Sequence, residues 1–124
     1  MKDFRDLRIW ERAHKLTLEI YSLTAVFPRH ELYGLTSQTR RCAVSIGANI
    51  AEGCGKRGNN EFQRFLQIAS GSASELDYHL LLAKDLGFLA EASYRQTAKD
   101  LSELRRMLTA LLRKIESERL NAEY

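Results

Sequence analysis

Apolar residues recur along the chain at alternating intervals of three and four, in four separate stretches. Ile9, Ala13, Leu16, Ile20, Leu23 and Phe27 follow a 4-3-4-3-4 spacing, the seam of a helix packed on a neighbour. The pattern predicts a helix over about residues 6–26, capped by Asp6 and stopped by Pro28. Leu35, Cys42, Ile46 and Ile50 mark a second over about 35–52, closed by the glycine-rich GCGKRG at 53–58. Phe62, Leu66, Ala69, Ala73, Leu76, Leu80 and Ala83 mark a third over about 60–86, with Asn59 as its cap and Gly87 as its stop. Tyr94, Ala98, Leu101, Leu104, Leu108, Leu111 and Ile115 mark a fourth over about 91–116. The polar tail, 117–124, is expected to fray.

Helices of this length joined by short connections fold back on one another. The expected fold is all-α: an antiparallel up-down-up-down four-helix bundle forming one domain over residues 1–124. One proline and seven glycines argue against an all-β chain. The N-terminus is charged from the start, without an apolar signal core, and no apolar run is long enough to cross a bilayer. A cytoplasmic protein with no membrane partner is expected. Cys42 and Cys54, twelve residues apart on one helix, would be about 18 Å apart at 1.5 Å per residue, too far for a disulfide. Neither has an evident histidine partner in the sequence.

The second helix has an unusual composition: CAVSIGANIAEG, over residues 42–53, is built mainly from Ala, Ser and Gly. Few of its positions read as ordinary solvated surface, and small side chains let neighbouring backbones come close. Ala43, Gly47 and Ala48 are expected to be pressed from more than one direction. On the third helix Leu80, Leu81 and Leu82 are consecutive, and at 100° per residue they spread over about 200° of circumference. Phe65 and Ile68 also lie beside the main seam. One small core cannot cover all of these groups, so a second subunit is the expected cover. Arg40, Arg41, Gly47, Ala48, Asn49, Glu52, Phe65 and Leu81 are the candidate oligomer or register contacts. Arg41 and Glu52 lie roughly 16 Å apart along one helix, so each needs a partner elsewhere.

These residues carry a resemblance. FRDLRIWERAHKLTLEIY, FPRHELYGLTSQTRRCAVSIGANIAEGCGKRGNNEFQRFLQIASGSASEL and LLLAKDLGFL cover most of residues 4–89. The combination of YGLTSQ, the arginine pair, SIxANIAEG and EFxRFLxIAxGSxxEL resembles the bacterial four-helix-bundle family named after proteins encoded in intervening sequences of 23S ribosomal RNA genes. The resemblance implies an antiparallel bundle and a homo-oligomer, a ring of five subunits, and brings no established enzymatic activity. A related bundle is the accessory of the reverse transcriptase in diversity-generating retroelements, where it forms a basic, nucleic-acid-binding barrel. Two positions depart from the pattern. Gly47 stands where the resemblance leads one to expect proline, so the second helix should be straighter. Gly58 replaces the usual capping serine, so the turn into the third helix should be looser.

Catalytic and metal chemistry find little footing. A di-iron bundle needs a Glu-x-x-His on each of two helices and a glutamate on each of the others. Glu11 with His14 matches once, Glu75 with His79 has i, i+4 spacing, His30 lies in a loop, and Glu52 does not complete a set. His14 reads as aromatic packing beside Trp10 and Tyr21, and His79 as an interior or interface histidine. GCGKRG fails as a phosphate loop, because Arg57 follows Lys56 and a helix precedes it. No Gly-x-Ser-x-Gly elbow appears. No catalytic residue, metal ligand or cofactor is therefore assigned.

Charge offers more. The net charge is +3, which permits an acidic partner without requiring one. Arg5, Arg8, Arg12 and Lys15 share one face of the first helix, and Arg105, Arg106, Arg113 and Lys114 add charge on the fourth. Arg5, Arg8, Arg12, Lys15, Arg105 and Arg106, with Lys56 and Arg57 in the turn, are the candidate contacts to an RNA or DNA backbone. Asp3, Asp6, Glu11 and Glu19 lie close enough to offset the first stripe. The expected function is a non-enzymatic, self-associating scaffold or adaptor that binds nucleic acid without reading sequence and has a protein partner encoded nearby. The alternative is a small-molecule or metal-binding bundle with catalytic activity.

Overall fold

The structure, a computed structural model, describes residues 3–122. A 3-10 turn at Phe4–Asp6 precedes helix α1, Arg8–Thr24, and a second turn at Arg29–Glu31 leads into α2, Leu35–Cys54. Helix α3 spans Asn59–Asp85 and α4 spans Glu91–Ala122. No strand occurs among the described residues, and no described helix is long and apolar enough to cross a membrane.

Side-chain bonds between helices fix the topology. Thr17 Oγ1 donates to Ala43 O at 3.2 Å and Arg40 Nε to Thr24 Oγ1 at 2.8 Å, so α1 and α2 run in opposite directions. Ser45 meets Ser72 at 2.8 Å, and Gly53 lies against Phe62 and Phe65, which sets α2 against α3. Arg105 Nη1 reaches Asp77 at 3.1 Å and Gln63 Nε2 reaches Glu116 at 2.6 Å, so α4 returns along α3. Arg12 Nη1 bonds Glu103 at 2.9 Å and closes the bundle between α1 and α4.

The predicted seams are the core. Ile20, Ile46, Ile50, Leu66, Leu76, Leu80, Leu101, Leu104 and Leu108 are fully buried along the axis. Burial of each such side chain contributes about 1.5–3 kcal/mol. Two threonines fit this apolar interior because their hydroxyls bond back along their own helices. Thr24 donates to Ile20 O and Thr39 to Leu35 O, both at 2.7 Å.

Four helix ends differ from expectation. Helix α1 starts after an extended Leu7, and Asp6 lies in the preceding turn. Asp3 caps that turn instead, accepting from Arg5 N at 2.9 Å. Helix α2 runs through Gly53 to Cys54 and continues without interruption past Gly47. The cap of α3 is Gly58, with φ of 83° and no side-chain cap bond, and Asn59 is the first helical residue. That φ is strained for serine, so glycine defines this entry turn as well as removing a hydroxyl. Helix α4 continues through the segment expected to fray. Gln63 holds Glu116, Asn59 Nδ2 reaches Glu118 at 3.4 Å, and Arg119 Nη2 reaches Glu116 at 2.7 Å. Residues 123 and 124 of the expected tail lie outside the described residues.

Gly87 does end α3 as expected. Its φ is 82°. Phe88 N donates to Ala83 O at 2.9 Å and Gly87 N to Lys84 O at 3.0 Å, the two bonds of a Schellman motif. The Phe88 ring then packs 5.9 Å from the Phe27 ring, joining the α3–α4 turn to the α1–α2 loop.

Candidate functional site

The close approach that the small residues suggested lies lower on α2 than expected. A Cβ added at Gly53 would sit 2.8 Å from Phe65 Cβ and 3.0 Å from Phe62 Cδ1. A Cβ at Gly47 would meet Trp10 Nε1 at 3.7 Å and Ala13 Cβ at 3.9 Å, which is ordinary contact. Within the chain, therefore, Gly53 is sterically required and Gly47 is not. Ala43 is buried, while Ala48 is exposed.

The eight candidate oligomer or register residues divide into two groups. Arg40, Gly47, Asn49 and Phe65 are engaged inside the chain. Arg40 bonds Thr24 and Tyr21 O and lies 4.6 Å over the Tyr21 ring. Asn49 Nδ2 donates to Ser45 O at 2.8 Å. Phe65 and Gly47 are buried. Arg41, Ala48, Glu52 and Leu81 point outward. Val44 lies on the same outer stripe of α2, 44% exposed. Arg41 and Glu52 form no ion pair among the described residues.

The basic residues also separate. Arg8, Arg12 and Lys15 line a groove of about 410 Å³ between α1 and α4, together with Glu11, Glu19 and Asp100. A hydrogen bond from Arg12, with the charges of Arg12, Lys99 and Arg106, holds the Glu103 carboxyl below its usual range. Burial and the facing Asp100 carboxylate push Glu19 up. This groove has both signs of charge. Arg5 is tied to Asp3 at 3.2 Å, outside it. Lys56 lies 5.7 Å over the Phe65 ring at the α2–α3 turn, where Arg57 is exposed. A second, shallower depression lies on α4 alone. Ser102, Arg105, Arg106, Thr109, Ala110 and Arg113 line it, with no carboxylate among them. Arg106 Nη1 donates to Ser102 Oγ at 3.3 Å, while Arg105 is shared with Asp77 and Ser74 on α3.

One cluster joins residues the sequence keeps 33 and 37 positions apart. Cys42 Sγ on α2 lies 2.6 Å from Glu75 Oε2 and 3.6 Å from His79 Nδ1, both on α3. His79 Nε2 is 3.7 Å from the same Glu75 oxygen. Cys42 therefore does have a histidine beside it, contrary to the sequence reading. The α2–α3 register creates the contact, and the only local trace of it is the i, i+4 spacing of Glu75 and His79. Burial, reinforced by the hydrogen bond and charge of Glu75, pushes the Cys42 thiol up to about 12. A thiol held protonated in this way is a poor nucleophile. His14 stacks on Trp10, with ring centres 4.9 Å apart and planes 8° apart.

An antiparallel four-helix bundle with small residues on one helix and an arginine-lined face on another defines a structural class. Within that class, the sequence model described as 23S rRNA-intervening sequence protein matches residues 5–110, and the chain belongs to that family. Among solved structures, the chain resembles a protein of unknown function from the S23 ribosomal protein family of Bacteroides thetaiotaomicron. The TM-score is 0.78 at 23% identity, over 84% of this chain and 97% of that one. That likeness shows the shared fold. No curated protein matches the chain.

Proposed function

We propose that this protein is a non-enzymatic, cytoplasmic, self-associating scaffold that docks the phosphate backbone of RNA or DNA on the outer face of α4. The observation that carries the reading is the α4 depression, where three arginines and two hydroxyl side chains converge without a carboxylate in the lining. Guanidinium groups with hydroxyl donors suit phosphate oxygens, and no base-reading element accompanies them. The α1–α4 groove is a weaker candidate because its carboxylates answer its cations. Self-association into a ring of five subunits, as the family resemblance implies, would repeat the face and sum weak contacts. The outward Val44, Ala48 and Leu81 support that assembly, and a protein partner encoded nearby fits the adaptor role.

The test is a salt series with fluorescent single-stranded and duplex RNA and DNA. Affinity should fall steeply as salt rises and should be similar for unrelated sequences. Arg106→Glu with Arg113→Glu should abolish binding, while Arg8→Glu with Arg12→Glu should weaken it modestly. If the α4 pair leaves binding unchanged, the α4 face is not the docking surface.

A further inference from the structure

We propose that Cys42, Glu75 and His79 form a binding site for a single zinc-like divalent ion, with a fourth coordination position open to solvent. The inference is independent of nucleic-acid binding. One thiolate, one imidazole and one carboxylate form a donor set suited to a borderline-soft cation. Three protein ligands with a vacant fourth position are the pattern of open zinc sites.

The geometry is close to that of a loaded site. Zn–S near 2.3 Å and Zn–N near 2.05 Å at a tetrahedral angle require sulfur and nitrogen about 3.5 Å apart. Cys42 Sγ and His79 Nδ1 are 3.6 Å apart. All three donor atoms lie within 4.8 Å of one another. The 2.6 Å separation of Cys42 Sγ from Glu75 is shorter than coordination would leave it. The thiol donates to that carboxylate, so its proton occupies the region a cation would take. Glu75 can move outward by the required ångström because its side chain is 56% exposed. His79 and Cys42 are held more tightly: the His79 side chain is 12% exposed and Cys42 is buried. Two fixed ligands and one adjustable one are a workable site. Binding replaces the S–H bond with an S–metal bond and releases that proton to solvent. The charge of Arg41, next to Cys42 in the chain, favours the thiolate product.

The test titrates the full-length, chelator-treated protein with Co²⁺ alone and then displaces it with Zn²⁺. The expected result is one cobalt per chain, with a thiolate-to-cobalt charge-transfer band and the intense visible bands of four-coordinate cobalt. Cys42→Ser should remove the charge-transfer band, and Cys54→Ser should leave it intact. Glu75→Gln, at an exposed position that keeps the fold, and His79→Gln should each weaken binding about tenfold or more. Circular dichroism of each variant separates loss of binding from loss of helix. The proposal is overturned if no charge-transfer band appears at millimolar cobalt, if the band survives Cys42→Ser, or if it follows Cys54 instead.

Discussion

Two glycines six residues apart on one helix, and so about 120° apart in helical phase, illustrate how much depends on a single hydrogen. Gly53 has no room for a methyl group, because Phe62 and Phe65 fill the space. Gly47 has room. Gly47→Ala should therefore stabilise the chain by about 0.5–1 kcal/mol through helix propensity. Gly53→Ala should cost a net 1–3 kcal/mol or so by overpacking. Urea unfolding of both variants reads the contrast directly. The Cys42 thiol supports a second residue-scale prediction. Burial raises its pKa in the folded chain from an ordinary 9.0 to about 12. The protonated thiol is thus favoured in the folded state. Its contribution is intact below the unfolded pKa and is lost as pH rises from about 9 towards 12. Unfolding curves at successive alkaline pH values should show this loss, and Cys42→Ala should flatten the dependence.

At the scale of elements, the heptad seams revealed the helices, since they are local and repeat. Their ends were less legible. Asp6 looks like a cap, yet the chain makes a 3-10 turn there and Asp3 takes that role. The tail looks frayed by composition, yet from α3 Gln63 holds Glu116 just before it and Asn59 reaches Glu118 within it. Cys42, Glu75 and His79 are each visible in the sequence, but their meeting depends on how α2 slides along α3. That relation is non-local and leaves only the Glu75–His79 spacing as a trace. Gly87 was legible for a simpler reason, because a positive φ at a helix end selects glycine wherever it occurs. Gly87→Ala should cost about 1–2 kcal/mol, the strain of a left-handed non-glycine residue. A lowered melting temperature with unchanged helicity is the expected signature.

For the whole molecule, the outer stripe of α2 is the question. Val44 and Ala48 are apolar yet exposed, between the outward Arg41 and Glu52. If this stripe joins subunits, a charge placed there breaks the assembly and spares the fold. Ala48→Glu should thus reduce the mass seen by light scattering from about five times 14.2 kDa to that of one chain. Its circular dichroism should match the parent. An unchanged mass would remove α2 from the interface, and a parent that is already monomeric would remove the ring itself.

The notch at Gly53 also restricts how the two central helices can be assembled. Sliding α2 by one turn, about 5.4 Å, would bring Ile50 or Asn49 to the place where Phe62 and Phe65 tolerate only hydrogen. A slip in that direction collides, so the notch disfavours it in any pairing of the two helices.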